Sequence, residues 1–321
     1  MTSSLSLPPQ NIWTRLRYLK RSNIYKAIRP YTLACKVDEG FPTNNLLFEE
    51  GPLEHLTDIR GLKSGEVTLE KNGFTMIQHR FEQSTADEEA IKEPGGYLDA
   101  IKQLARDVLS AEGVQVEQVK VINWVVSISP STSNSARDVT IADLVKQFRT
   151  AKKDEMFANA DMTGQDFRAF APDTYVHNDC NYYGGDKRIR ALLGAETDTI
   201  LASKRVRLIN VWKPINNPVE DCQLAICDAS TVQHDKCIHG DFVVTPDYIS
   251  QTNYAAPCEE QKWYWLSSQQ TDEVILFKQH DTEELSSTRY CPHTAFWRND
   301  PYKCRVPRES IEVRTLVICS D

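Results

Sequence analysis

Residues 205–214 read R-V-R-L-I-N-V-W-K-P and residues 222–228 read C-Q-L-A-I-C-D. Three more runs of the same β-branched and aromatic texture follow: K-W-Y-W-L-S (262–267), E-V-I-L-F-K-Q-H-D (273–281) and I-E-V-R-T-L-V-I-C (311–319). Short strands separated by turns, with no long helix between them, predict a sandwich or barrel of antiparallel sheet. The expected fold class is therefore mainly β with flanking helices, a jelly-roll-like core with the helices packed outside it.

Upstream of residue 166 the texture is mixed. Residues 1–50 carry prolines and aromatics with little periodicity, which suggests an irregular leading arm with one short helix or strand around W-T-R-L-R-Y-L (13–19), clipped onto the body by its apolar residues. The alternation Val67-x-Leu69, the Asn72-Gly73 pair and F-T-M-I-Q after it predict a β-hairpin. From Gly95 to Ala111, Leu98, Ile101, Leu104, Ala105 and Leu109 fall at helical spacing, with Gly113 as the stop. V-K-V-I-N-W-V-V-S-I (119–128) is strand-like, S-P-S-T-S-N-S-A-R-D (129–138) is a loop, and residues 141–157 predict a second helix. The expected organisation is one domain over 1–321, with 1–165 as arm, hairpin and helices packed on a main β part over 166–321.

Composition excludes several classes of function. About 40% hydrophobic and 26% charged residues are the balance of an ordinary globular chain. Acidic residues outnumber basic ones 45 to 37, a formal charge of −8, which gives no support to nucleic-acid or anionic-membrane binding. No charged segment followed by an apolar one opens the chain, and no apolar run approaches the roughly 20 residues needed to cross a bilayer, so a cytoplasmic protein is expected. The nine cysteines are scattered, without a C-x-x-C pair, which predicts reduced thiols rather than a disulfide framework or structural zinc.

The chemistry-bearing residues start at Y-V-H-N-D-C-N (175–181). On a strand, residues i and i+2 share a face, so His177 and Asp179 can offer an imidazole nitrogen and a carboxylate oxygen to one ion while Asn178 points away. A second histidine would complete the two-histidine, one-carboxylate face of non-haem Fe(II) oxygenases, which leaves three metal positions open. His55, His79, His234, His239, His280 and His293 are the candidates. His293 is favoured because it lies late in the strand-rich half and is followed by Arg308-Glu309-Ser310, an R-x-S able to grip a carboxylate. Each element also has an ordinary structural reading: a surface hydrogen-bonded pair, a satisfied core histidine, an amphipathic strand with paired charges. The order H-x-D, strands, H, R-x-S is what favours a site.

In that order the chain resembles the Fe(II)/2-oxoglutarate-dependent oxygenases, and within them the fungal and bacterial group called GA4 desaturase-like or CmcJ/AsaB-like. The blocks that carry the likeness are V-H-N-D, I-N-V-W-K-P-I, L-A-I-C-D, K-W-Y-W-L-S, D-E-V-I-L-F-K, P-H-T-A-F and R-E-S-I-E-V-R, in family order from about residue 175 to 318, extended weakly by D-I-R-G-L and N-G-F near 58–74. The resemblance implies a double-stranded β-helix (jelly-roll, cupin-like) core. It implies His177, Asp179 and His293 as iron ligands, with Arg308 and Ser310 on the C5 carboxylate of 2-oxoglutarate and O2 as second cosubstrate. It further implies a ferryl oxidant that abstracts hydrogen from a small molecule of secondary metabolism, leading to hydroxylation, desaturation or cyclisation. A non-catalytic small-molecule-binding barrel is the alternative, and a metal-dependent hydrolase a weaker third.

One departure from the family pattern is the insertion W-R-N-D-P-Y-K-C-R-V-P (297–307), which makes Arg298, Arg305 and Arg314 rivals of Arg308. Asn210, Trp212, Tyr264 and Arg314 are candidates for the substrate pocket, although Trp212, Trp263 and Trp265 also read as strand-core aromatics and Arg314 as a salt-bridge partner of Glu312. The basic cluster Lys187, Arg188, Arg190, Lys204, Arg205 and Arg207 can attract an acid or form a solvated face. Gly184-Gly185 is a candidate hinge for a lid.

Overall fold

The computed structural model describes residues 8–33, 42–83, 85, 88–129, 169–245, 248–284, 286–298 and 306–320. The helix expected over 141–157, nearly all of the loop before it and Arg305 lie outside the described residues.

One sheet has six strands in the order β4 (Phe74–Gln78), β12 (Glu273–Asp281), β7 (Arg205–Pro214), β14 (Glu309–Ser320), β5 (Gln115–Ile128) and β6 (Ala169–Phe170). A second has five, β1 (Ile12–Leu19), β3 (Phe48–Asp58), β11 (Trp263–Trp265), β8 (Cys222–Cys227) and β13 (His293–Trp297). A third joins β10 (Tyr248–Tyr254), β9 (Ile238–Thr245) and β2 (Tyr31–Leu33). Pairing is antiparallel except β3 with β11, β2 with β9 and β5 with β6. Both large sheets thus join strands from the first 130 residues to strands from the last 120.

The run R-V-R-L-I-N-V-W-K-P explains the layering. Strand β7 is buried from Val206 to Pro214, because both of its faces are covered. Ile209 and Val211, with Val274, Leu276, Ile311 and Val313 on neighbouring strands, pack against Leu98, Ile101, Leu104, Ala105 and Leu109 of the helix Tyr97–Ala111. Trp212 and its cross-strand neighbour Ile275 face the other way, joining Phe277 of β12 and Leu224 and Ile226 of the second sheet. The helix ends as expected, with Gly113 at φ 85° and Val114 N–H donating to Leu109 O at 3.0 Å. The sequence W-T-R-L-R-Y-L is strand, clipped to the body through buried Leu16 and Tyr18.

Two expectations need correction. Residues 67–78 are not a hairpin: Leu69–Asn72 is a helical turn, its N-terminus capped by the Thr68 hydroxyl accepting from Lys71 N–H, and Gly73 ends it at φ 79°. An Asn-Gly pair supplies a left-handed residue equally well at a helix C-terminus, and β4 finds its partner in the distant β12. A Cβ on Gly73 would lie 2.7 Å from Cys291 Sγ and 2.8 Å from Ala229 Cβ, so the turn is also tightly packed. Gly184 and Gly185 lie inside the helix Tyr182–Leu193 and form no hinge. A Cβ on Gly184 would meet Gln251 O at 2.5 Å, and one on Gly185 would meet the His280 ring at 2.3 Å, so glycine serves close packing there.

Most of the basic cluster is occupied internally. Asp281 accepts from Arg205 at 2.7 and 2.6 Å and from Lys278 Nζ at 2.9 Å, and Arg207 Nε lies 3.6 Å away. Glu70 supplies the second anion, 3.1 Å from both Arg205 and Arg207. Lys204 pairs with Glu117, Arg190 with Asp186 and Asp198, and Lys187 reaches Ile249 O. Among the described residues no helix is long and apolar enough to cross a membrane, and the seven described cysteines are free.

Burial alone would raise the Asp281 pKa, but the Arg205 hydrogen bonds and the charges of Lys278, Arg205 and Arg207 outweigh it and hold the carboxyl well below the ordinary range. Asp281→Asn leaves buried cations without their counter-charge, and a loss of about 3–5 kcal/mol in unfolding free energy is expected. A carboxyl whose folded pKa is depressed stabilises fully above its unfolded value, near pH 4, and loses that contribution as pH falls further. Urea unfolding of both proteins checks this: the gap between them is expected to be full at neutral pH and to narrow below about pH 4.

Candidate metal centre

His177 and His293 meet through a single antiparallel bridge. His177 N–H donates to His293 O at 3.1 Å, His293 N–H donates to His177 O at 2.9 Å, and the two rings lie 4.4 Å apart. The next residue, Asn178, bridges in the same way to Asn253 of β10. Asn178 is therefore more than a spacer: it is buried, and its Nδ2 donates to Gln279 O at 3.1 Å and to Cys180 O. Asp179 then returns to the side of His177, its N–H donating to Gln279 Oε1 at 3.0 Å.

The imidazoles are set to offer the same atom. His177 Nδ1 is 2.8 Å from Tyr175 O and His293 Nδ1 is 3.1 Å from Cys291 O. A carbonyl only accepts, so each Nδ1 carries the proton and each Nε2 keeps a free lone pair. Burial pushes His293 down to about 3, with the His177 charge adding to the effect, so it is neutral at physiological pH. For Asp179 burial works in the opposite sense, but the Arg314 charge, then His293, His177 and the Asn210 hydrogen bond, outweigh it and keep the carboxylate ionised. Asp179 Oδ1 is 3.8 Å from His177 Nε2, and ligand atoms of His177, Asp179 and His293 all lie within 4.8 Å of one another. Two imidazoles and one carboxylate on one side are a donor set that could hold a divalent metal such as Fe(II).

Arg308, immediately before β14, and Ser310, at its start, are both buried. Arg308 Nη1 donates to Cys222 O at 3.0 Å and its guanidinium lies 5.3 Å over the Trp212 ring, yet Nε has no partner. Ser310 Oγ is likewise buried and unpartnered. Leaving such groups unpaired costs about 1–3 kcal/mol each, which a carboxylate arriving between them would offset. The rivals are engaged elsewhere: Arg298 Nη2 donates to Gln10 Oε1 at 2.8 Å, and Arg314 pairs with Asp179 at 3.1 Å and Glu312 at 2.9 Å.

Of the other candidates, Trp212 is buried in the interior cluster with Phe277 and Ile226, and Tyr264 packs at its edge against Phe74, ring to ring at 5.2 Å. Trp263 and Trp265 point into a separate core with Leu16, Tyr18 and Phe296. Asn210 Nδ2 donates to Asp179 Oδ2 at 3.0 Å. Three residues near the centre were missed from sequence. Gln279 anchors the backbone of Asp179, Phe48 stacks on Tyr175 at 4.5 Å, and Asp173 Oδ2 lies 3.9 Å from His177 Nε2 with its side chain 57% exposed. Asp173 and Tyr175 sit at i−4 and i−2 from His177, a same-face spacing that was there to be read.

A family model described as an oxidoreductase/YMDC permease-like domain matches residues 16–318. The chain is 29% identical over 276 residues to "Hydroxylase/desaturase efuI" of Hormonema carpetanum, covering 83% of each chain. It is 34% identical over 147 residues to "Fe(II)/2-oxoglutarate-dependent dioxygenase nvfI" of Aspergillus novofumigatus, covering 46% of this chain and 52% of that one. A solved structure of the iron and alpha-ketoglutarate-dependent endoperoxidase NvfI superposes with a TM-score of 0.71 at 21% identity, over 97% of this chain and 99% of that one. That likeness shows the fold and bears out the expected double-stranded β-helix core.

The donor set predicts one tight divalent-metal site per chain. Titration with Mn(II) under equilibrium dialysis is expected to give one bound ion per wild-type chain and none at the same free concentration for His293→Ala.

Proposed function

The chain belongs to the oxidoreductase/YMDC permease-like domain family, and on that premise we propose that it is an Fe(II)/2-oxoglutarate-dependent oxygenase of the GA4 desaturase-like, CmcJ/AsaB-like group, acting on a small molecule of secondary metabolism. The observation that carries the proposal is a pairing of two features. His177, Asp179 and His293 offer ligand atoms within 4.8 Å of one another, and the R-x-S at the start of β14 holds two buried, partnerless polar atoms, Arg308 Nε and Ser310 Oγ. Relatives whose printed names are hydroxylase/desaturase and Fe(II)/2-oxoglutarate-dependent dioxygenase support the same reading.

In this proposal His177 Nε2, Asp179 Oδ1 and His293 Nε2 hold the iron, and Arg308 with Ser310 takes the C5 carboxylate of 2-oxoglutarate. When bound, iron with 2-oxoglutarate and O2 supplies an oxidant strong enough to remove hydrogen from an unactivated C–H bond. The protein's own contribution is positional. Tyr175 O and Cys291 O hold the imidazoles in the metal-binding tautomer. Trp212, Phe277 and Ile226 give the interior a dry wall, with Tyr264 at its edge, which strengthens the charge-assisted grip of Arg308.

On the other side of His177, Tyr175, Phe48 and Tyr254 form an aromatic wall, with ring separations of 5.2 Å from Tyr175 to His177 and 6.0 Å from Tyr175 to Tyr254. That wall suits a flat, ring-bearing substrate, and the exposed Asp173 carboxylate suits a hydroxyl or other donor on it. Hydroxylation, desaturation and cyclisation all begin with the same hydrogen removal, and the pose against this wall selects among them. We assign the whole chain, 1–321, to one oxygenase domain and place it in the cytoplasm, for which the free thiols are the support. The acidic balance supports no nucleic-acid or anionic-membrane partner. A non-catalytic barrel would have no need of three donors and both R-x-S side chains in place.

Iron-loaded protein incubated with 2-oxoglutarate, O2 and candidate ring-bearing acids, terpenoids or polyketides is expected to release succinate in a substrate-dependent and oxygen-dependent way. Arg308→Gln loses a charge-assisted contact worth roughly 1.5–3 kcal/mol, so KM for 2-oxoglutarate is expected to rise by about 10-fold to 150-fold. Full turnover by His177→Ala or Asp179→Ala would sink the assignment.

A further inference from the structure

We propose that Arg314 and Asn210 are positioning residues that clamp one oxygen of Asp179, so that the carboxylate offers only its other oxygen to the metal, and that Glu312 anchors Arg314 for this task. The inference rests on the functional reading above and concerns residues that sequence alone left as substrate contacts or a salt bridge.

The geometry separates the two carboxylate oxygens. Asp179 Oδ2 accepts from Arg314 Nε at 3.1 Å and from Asn210 Nδ2 at 3.0 Å. Asp179 Oδ1 is the oxygen that lies 3.8 Å from His177 Nε2. Arg314 and Asn210 are direct cross-strand partners in the β14–β7 pairing, so one register position of the sheet delivers both donors to one atom. Arg314 Nη2 is held in turn by Glu312 Oε1 at 2.9 Å. Glu312 lies one same-face step from Ser310, so the strand that carries the R-x-S also carries the clamp.

An oxygen loaded with two donors, one of them charged, is a poor metal ligand, because binding would break both hydrogen bonds. Asp179 is thereby restricted to one-oxygen coordination. The restriction matters because a two-oxygen carboxylate would take one of the three positions that a chelating keto acid and O2 require. Arg314 acts through Asp179 on the room left for the cosubstrate, and no contact with the organic substrate is needed for it. Partners of metal ligands commonly change metal affinity or activity by about 10-fold to 100-fold when removed.

The test uses the full chain under anaerobic conditions with Fe(II) and 2-oxoglutarate, comparing wild type with Asn210→Ala and Arg314→Lys. The readouts are the visible absorption of the iron–keto-acid chelate, the Kd for 2-oxoglutarate, the Kd for Mn(II), and the melting temperature. Both variants are expected to weaken 2-oxoglutarate binding by about tenfold or more and to shift the chelate band, with a smaller change in Mn(II) affinity. Lysine keeps the charge but cannot bridge Asp179 and Glu312 as a planar fork does, so the loss in Arg314→Lys reports the clamp rather than net charge. An unchanged band and cosubstrate Kd, with only the melting temperature lowered, would overturn the proposal. Should wild type form no chelate at all, it is the oxygenase reading that falls, and the clamp with it.

Discussion

The reciprocal backbone hydrogen bonds between His177 and His293, 3.1 and 2.9 Å long, are the constraint on which the centre depends. Residues 175–181 form no regular strand, yet one bridge ties His177 to the second sheet and the next ties Asn178 to the third. A short segment pinned at two successive residues has little freedom left. The side-chain alternation of extended chain then sends His177 and Asp179 to one side and Asn178 to the other, where its buried amide finds carbonyl partners.

Around that bridge the interior divides its polar groups into two kinds. Some support the fold through dense pairing, as in the Asp281 carboxylate, which Arg205, Arg207 and Lys278 surround, and as in Arg60, which grips Glu273 with two contacts of 2.6 Å. Those assigned to ligands are left incomplete: two Nε2 lone pairs, one oxygen of Asp179, the Nε of Arg308 and the hydroxyl of Ser310. An unpaired buried polar group costs free energy, and Arg308 Nε and Ser310 Oγ are two such groups within one R-x-S. The Asp179 carboxylate shows both kinds within one side chain.

Much of this was legible in the chain. The strands β5, β7, β8, β11, β12 and β14 stand where β-branched and aromatic runs occur, and the helix Tyr97–Ala111 ends where Gly113 permits. The H-x-D, the later histidine and the R-x-S were legible as types and in order. The hairpin at Asn72-Gly73 was misread because a left-handed glycine serves a helix end as readily as a tight turn, and only packing on Cys291 and Ala229 distinguishes them. The hinge at Gly184-Gly185 was misread for a related reason: glycine signals freedom in isolation and close approach in context, here to Gln251 and His280.

The sequence by itself determined the donor types, their spacing and the alternation that puts His177 with Asp179 and Arg308 with Ser310, since these are local properties of extended chain. Only the tertiary structure decided which histidine joins them and which oxygen of Asp179 remains free. Those choices depend on contacts across more than 100 residues, His177 with His293 and Asp179 with Arg314, made by strand pairings that no local pattern encodes. The same pairing sets Asn210 opposite Arg314, and so turns two residues legible only as polar into a joint grip on one atom.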